Sequence, residues 1–300
     1  MGDAGTGGGE ELARGTLVAG RYRVEQCIGR GGMGSVYRAI DESGDAVAIK
    51  VMHRFLVGEA DVAARFDREA RAARAIRHAH VVSVLDTGLT DAGVPYLVME
   101  HVTGRSLAEA LVQESPFEVD RACRIAAQLL DGLSALHAAG VVHRDLKPDN
   151  VLLSTGDGGE LAKISDLGVV AWTPGRAPET WVELTPAGRT MGTPRYAAPE
   201  QIGGARGRDP RVDLYAVGVL FFEMLAGEAP FRADAPADLL DLIRTQSPPP
   251  VGVFRAGVPA PIEQVVRRAL EKRPEDRHAD ALDMWRAIAA VAPGIVGPQG

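Results

Sequence analysis

Three glycines and a lysine are the first residues of this chain whose spacing could do chemistry. Gly29, Gly31 and Gly34 in "CIGRGGMGSVYRAIDESGDAVAIKV" (27–51) spell G-x-G-x-x-G, and Lys50 closes "VAIK". A glycine-rich turn lets backbone N–H groups approach phosphate oxygens, because no side chain holds the chain away and glycine accepts unusual φ values. Two architectures share this spelling. A dinucleotide-binding turn needs a helix of roughly ten residues or more after the glycines, and an acidic residue about twenty positions on for the ribose. Met33, Val36, Tyr37 and Ile40 have helical spacing, but the turn "DESGD" (41–45) ends the run early. Val36 and Tyr37 also favour strand. Lys50 and its neighbours stand where the ribose acid belongs. A strand, a tight turn and a second strand ending in Lys50 therefore predict a hairpin folded over a triphosphate, with the lysine directed at its oxygens.

A second constellation lies in "VVHRDLKPDNVLL" (141–153), where His143, Arg144, Asp145, Leu146 and Asn150 fit H-R-D-L-x-x-x-N. "SDLG" (165–168), "GTPRYAAPE" (192–200), "DLYAVGVLFFEMLAG" (213–227) and "RPEDR" (273–277) follow in order. On these motifs the chain resembles the eukaryotic-type protein kinase family over residues 20–290 or so. The insert Lys147-Pro148-Asp149 is similar to that of serine/threonine enzymes. "MGSVYRA" and "TMGTPRYAAPEQ" most resemble the bacterial eukaryotic-like serine/threonine kinases.

The resemblance implies an α+β, bilobal fold and transfer of the γ-phosphate of ATP to Ser/Thr hydroxyls of proteins, the chain's own activation loop included. Mg²⁺ is the implied metal, with Mn²⁺ as an alternative. Phosphoryl transfer asks a protein mainly for positioning and charge stabilisation. By resemblance, Lys50 holds the α/β-phosphates and pairs with Glu69 of "RFDREARAA". Asp145 accepts the proton of the substrate hydroxyl, and Lys147 neutralises the γ-phosphate. Asn150 and Asp166 ligate Mg²⁺ through hard oxygens. Thr193 braces the catalytic loop. Ile28, Gly29, Gly31, Gly34, Val36, Ala48, Met99, Glu100, Val102 and Leu152 form the ATP site. In it Val36, Ala48 and Leu152 sandwich the adenine, Met99 is the gatekeeper and Glu100 to Val102 the hinge. Glu200 pairs with Arg277, and Asp213 anchors the catalytic loop. Arg144 meets a phosphate on the activation loop, for which Thr185 and Thr190 are the candidate acceptors and Thr180 the third. Leu167, where most relatives have Phe, and the small Ala73 mark departures that point to a need for phosphorylation or a partner in activation.

These residues need two kinds of element to position them. "RYRVEQCI", "SVYRAI", "AVAIKV", "HVVSVLDTGL" and "PYLVMEHV" read as strands, and 59–77 as a helix with Val62, Phe66, Ala70, Ala73 and Ile76 on one stripe. Helical spacing follows near 106–113, 118–139, 212–226, 236–245, 261–272 and 280–291. The stretch 166–200 carries five prolines and no clean period, and a loop of that length is usually functional. The expected plan is a flexible glycine-rich leader (1–20), an N-lobe (21–102), a C-lobe (103–292) and a tail or the start of a linker (293–300).

Composition narrows the function classes. The 300 residues are 46% hydrophobic and 24% charged with a net charge of −7, an ordinary globular balance that gives no broad footprint for nucleic acid. Cys27 and Cys123 lie far apart, with no metal-binding or disulfide spacing, so a reducing cytosol is the default. The longest apolar stretch, 216–227, is broken by Glu223, and no membrane span is expected within these residues. The expected location is cytoplasmic, and the expected partners are protein substrates and a homodimer for phosphorylation in trans. His78 and His80 are read as solvent-facing or capping residues. Arg65, Arg68, Arg71, Arg74 and Arg77 wind around a helix as a solvated surface, the alternative being that Arg65 or Arg68 meets a phosphate on the activation loop. A scaffold without transfer is opposed by the presence of Lys50, Glu69, Asp145, Asn150 and Asp166. Finally, a bulky residue at Gly31 or Gly34 is expected to damage ATP use more than folding.

Overall fold

The period-two burial along Tyr22–Gly31 and the buried run Val47, Ala48, Ile49 show which strands are half-covered and which are central. The computed structural model describes residues 12–31, 34–53, 73–156, 159–166, 194–202 and 209–294. They fall into two compact units. The first holds the chain to Arg77 and Ser83–Val102, and the second holds His78–Val82 with Thr103 onward.

The first unit is a six-stranded sheet: β1 (Leu17–Val18), β2 (Tyr22–Gly31), β3 (Gly34–Ile40), β4 (Ala46–Met52), β5 (Val84–Leu89) and β6 (Pro95–Glu100). The spatial order is β1-β2-β3-β4-β6-β5, with every pair antiparallel. One turn explains why no long helix follows the glycines. The Asp41 carboxylate accepts from the N–H groups of Ser43 and Asp45, each at 2.9 Å, and Gly44 takes a left-handed φ of 91°. This Asx turn reverses the chain into β4. On one face Tyr22, Val24, Tyr37, Ala39, Val47, Ile49, Tyr96 and Val98 form the core. Each large apolar side chain buried there contributes about 1.5–3 kcal/mol.

The expectation of a flexible leader through residue 20 is corrected for its described part, residues 12–20. Leu17 and Val18 pair with Arg23 and Tyr22, Gly15 N–H donates to Val24 O, and Val18 is buried in the core. A buried valine and a strand ladder outweigh the local glycine content. Of the 59–77 helix, residues 73–75 are helical, and Ala73 and Ile76 are buried. Residues 59–72 lie outside the described ones.

The second unit contains β7 (Arg105–Ser106), α1 (Leu107–Glu114), α2 (Val119–Ala138), β8 (Val151–Gly156) and β9 (Gly159–Ile164). Helices α3 (Pro199–Ile202), α4 (Arg211–Ala226), α5 (Pro236–Thr245), α6 (Ala260–Ala269) and α7 (Ala281–Val291) follow. Ser106 and Glu109 form a reciprocal capping box that starts α1. The small sheet β7-β8-β9 was absent from the sequence reading. Helix α4 is the centre of the unit. From Val212 to Leu225 only Glu223 is not fully buried, the mark of a helix covered on every side. Glu223 accepts from Tyr196 OH at 2.7 Å, and burial raises its carboxyl pKa. Gly218 lets α6 approach, since a Cβ there would lie 2.8 Å from that of Ala269. Gly227, at φ 86°, closes the helix in the left-handed cap that glycine favours.

The segment His78–Val82 adds an edge to this unit. Ile164 N–H donates to His80 O at 2.9 Å, and Val82 N–H to Ile164 O at 2.8 Å. Neither histidine faces solvent, which corrects that half of the sequence reading, while the capping half holds for His78, whose Nδ1 accepts from His80 N–H at 3.2 Å. Both side chains are 14% exposed and stand 3.6 and 4.0 Å from the Asp131 carboxylate. His80 Nδ1 bonds the Ala162 carbonyl at 2.9 Å. Burial lowers the His80 pKa against that bond and Asp131. The neighbouring α2 supplies Gly132, where a Cβ would meet His80 O at 2.8 Å. Among the described residues no group of three or more His, Cys, Asp or Glu could hold a metal. Nor is any described helix long and apolar enough to cross a membrane.

Candidate active site

Asp213 organises the second unit's chemistry. It sits in the first turn of α4 with 0% exposure, where the helix dipole favours a carboxylate. Its Oδ2 accepts from the N–H of His143 and from His137 Nε2, both at 2.8 Å. Its Oδ1 accepts from the N–H of Arg144 at 2.7 Å. Burial alone would push this carboxyl up. The hydrogen bond and charge of His137, the charge of His143 and the Arg144 N–H outweigh it and hold the carboxyl below its ordinary pKa.

These bonds stabilise a strained turn. Arg144 has φ 64°, one of three described non-glycine residues at positive φ; Asp166, at 59°, is another. Such a conformation costs on the order of 1–3 kcal/mol and persists only where its surroundings over-determine it. Gln201 Nε2 adds a bond to Arg144 O at 3.0 Å. The fully buried His143 reaches across to Ser165 O at 2.9 Å and accepts from Asp145 N–H at 3.3 Å.

The result is a cluster of three side chains. The Asp145 carboxylate accepts from Lys147 Nζ at 3.2 Å and from Asn150 Nδ2 at 3.3 Å. Asn150 Nδ2 also donates to the Asp145 carbonyl at 2.7 Å. With its NH₂ committed to those acceptors, Asn150 Oδ1 is the atom suited to a hard cation. Asn150 O accepts from Ser165 N–H at 2.8 Å, which brings Asp166 alongside. Further along, Arg277 donates to both carboxylate oxygens of Glu200 at 2.7 Å. Its side chain is fully buried, bonds three backbone carbonyls and lies 5.0 Å from the Tyr215 ring centre.

The first unit gathers the other predicted residues on its sheet. Gly29 pairs with Val36, Val36 with Lys50, and Ala48 with Met99. Opposed residues share a face, and so do alternate residues along a strand. Gly29, Val36, Ala48, Lys50 and Met99 therefore lie on one face, opposite the core face of Ile49 and Val98. Glu100 ends β6 with its carboxylate accepting from Ser83 N–H at 2.8 Å. Ile28 is 44% exposed. Val102 is the last residue of this unit, and Leu152 stands on β8 of the second.

The glycines divide in role. At Gly31 a Cβ would make an ordinary contact, 3.9 Å from Gly34 O, whereas at Gly34 it would lie 2.4 Å from Val51 O. The expectation that both act on ATP more than on folding is thus corrected for Gly34, whose missing side chain lets β3 and β4 pair. Glu69, Leu167, Thr180, Thr185, Thr190, Thr193, Arg65, Arg68 and Arg71 lie outside the described residues. Arg74 pairs with Asp86 at 3.3 Å. Sequence reasoning missed His137, Gln201 and the Ser83–Glu100 clasp. A histidine six residues before His143 was the one available signal.

The protein kinase domain family matches residues 22–284. The chain belongs to the protein kinase family. It is 40% identical over 281 residues to the serine/threonine-protein kinase pkn3 of Myxococcus xanthus, covering 92% of this chain and 51% of that protein. It is 36% identical to the serine/threonine-protein kinase PknL of Mycobacterium tuberculosis, covering 94% and 68%. The crystal structure of the M. tuberculosis PknI kinase domain superposes with a TM-score of 0.72 at 27% identity, covering 93% of this chain and 99% of that one. This kinase domain is therefore of the bacterial, eukaryotic-like serine/threonine type with an α+β fold. It spans about half the length of pkn3, and 38% of M. xanthus Pkn1.

Proposed function

We propose that this kinase domain transfers the γ-phosphate of ATP, with Mg²⁺, to serine and threonine hydroxyls of proteins, its own 166–200 segment among them. The observation that carries the reading is the Asp145 carboxylate flanked by Lys147 and Asn150 on a loop locked to Asp213. The donor set fits Mg²⁺, which takes one or two protein oxygens and completes its shell with phosphates and water. Asn150 Oδ1 and the Asp166 carboxylate are the residues that would hold it. When bound, Mg²⁺ supplies neutralisation of charge on the phosphate oxygens.

Everything else is work for side chains and backbone. The glycine hairpin and Lys50 orient the α/β-phosphates, while Val36, Ala48, Met99 and Leu152 offer apolar surface to the base. Asp145 orients the attacking hydroxyl and accepts its proton as the new O–P bond forms and the bond to ADP breaks. Lys147, beside it, offsets the charge of the γ-phosphoryl oxygens. Arg144 supports control by a phosphate at Thr185 or Thr190, with a second copy of the chain delivering it in trans. Two free cysteines, with Cys123 buried and its thiol pushed up to about 11 by burial, support a cytosolic site for the domain.

Incubation with labelled ATP, Mg²⁺ and a basic protein tests the reading. Wild type should transfer label, and Lys50→Met and Asp145→Asn should not. Nucleotide binding without transfer in wild type would make the chain a scaffold. Equal signal in all three would reject the assignments. Mass spectrometry before and after ATP should find new phosphate within 166–200.

A further inference from the structure

The motifs account for the glycines and Lys50 but leave unused the residue just beyond β4. His53 Nε2 lies 3.0 Å from the carbonyl oxygen of Gly31. Gly31 and Gly34 are the opposed residues that close the β2–β3 hairpin, and Gly34 in turn pairs with Met52. Three strand ends therefore meet at one corner: the end of β2, the start of β3 and the end of β4.

Two features hold that corner. On one side, Gly34 has no side chain, and Val51 O fills the place where a Cβ would stand. On the other side, the backbone ladder stops at Gly31 and Met52. The imidazole of the next residue spans the gap. We propose that His53 is a positioning residue for the nucleotide: its Nε2–H donates to Gly31 O and ties the glycine hairpin to the strand that carries Lys50. This rests on reading the chain as an ATP-dependent kinase.

Glycine leaves a closing peptide with many accessible conformations. A free hairpin must give up that freedom when phosphates bind, and the lost entropy appears as weaker affinity. A hydrogen bond supplied by the protein's own side chain removes part of that cost. An imidazole with its proton on Nε2 is a hydrogen-bond donor. The requirement is a donor of the right reach, not a titrating group.

The test uses the full chain and titrates a fluorescent ATP analogue with Mg²⁺ into wild type, His53→Ala, His53→Phe and His53→Gln. Kd should rise about three- to tenfold in the Ala and Phe variants, the loss of one hydrogen bond. Gln, which keeps a donor, should bind within about twofold of wild type, whereas a packing role would favour Phe. In turnover, KM for ATP should rise more than kcat falls. Ala and Phe binding like wild type, or Gln binding as weakly as Ala, would overturn the tether. Wild type that binds nucleotide but transfers nothing would defeat the kinase reading and leave the tether in place. Transfer with equal Kd in all four would do the reverse. Failure of wild type to bind nucleotide would remove both.

Discussion

The loop around Asp145 and the hairpin around Gly31 serve the same proposed reaction, yet they are held in opposite ways. The Asp145 loop is fixed from beneath by a carboxylate at 0% exposure, itself part of a helix buried on every side. Three donors converge on Asp213 at 2.7–2.8 Å, and the turn they hold is strained at Arg144. Among the described residues, no buried charge lies beneath the glycine hairpin. Its support is a backbone ladder, one absent Cβ and one imidazole. Charge-assisted bonds shielded from water are strong and costly to break, whereas a solvated ladder opens readily. The difference suits the tasks, since a proton acceptor needs fixed geometry and a phosphate cover must admit and release its ligand.

The comparison can be broken most severely at Asp213. Asp213→Ala leaves two buried N–H groups and His137 without their acceptor. It should lower stability by about 3–5 kcal/mol, read as a drop in the urea midpoint, and abolish measurable transfer. An unchanged midpoint would mean that the loop does not depend on the helix.

Gly34→Val comes next. A Cβ forced against Val51 O should cost about 1–3 kcal/mol through displaced strands, read by thermal denaturation. Gly31→Ala, whose methyl would make only an ordinary contact with Gly34 O at 3.9 Å, should stay within about 0.5 kcal/mol of wild type. Equal losses at the two positions would erase the division between a packing glycine and a loop glycine.

Acid sharpens the same contrast. Asp213 is depressed in the folded state, so its stabilisation is complete above the ordinary carboxylate pKa and is lost as pH falls through the folded value. His80 and His278 are also depressed, chiefly by burial. The unfolded chain then binds more protons just below the ordinary imidazole pKa, and stability should begin to fall there first. Melting curves from pH 7.5 to 5 should show this early loss, and His80→Gln should reduce it. A flat profile over that interval would refute the buried-histidine account.

Much of this architecture was legible in the chain, and for identifiable reasons. Helices such as 236–245 and 281–291 announce themselves by period, and the residues of "HRDLKPDN" sit together because the motif is one local turn. The face shared by Val36, Ala48 and Lys50 follows from strand alternation once the Asp41 turn is recognised. What stayed hidden depends on partners distant in sequence. β8 and β9 are six residues each, and their pairing with each other, like that of Ile164 in β9 with residues 81–82, joins segments that no local period links. His137 matters because Asp213, 76 residues away, folds against it. Gly34 and Gly31 look alike as letters, and only the distance to Val51 O tells them apart.

The excursion of His78–Val82 has a consequence for anyone cutting this gene. Five residues encoded amid the first unit supply an edge of the second, through both backbone bonds at Ile164. A fragment beginning at Thr103 would leave that edge open. Clean dissection would call for a circular permutation or a grafted peptide in place of a simple truncation.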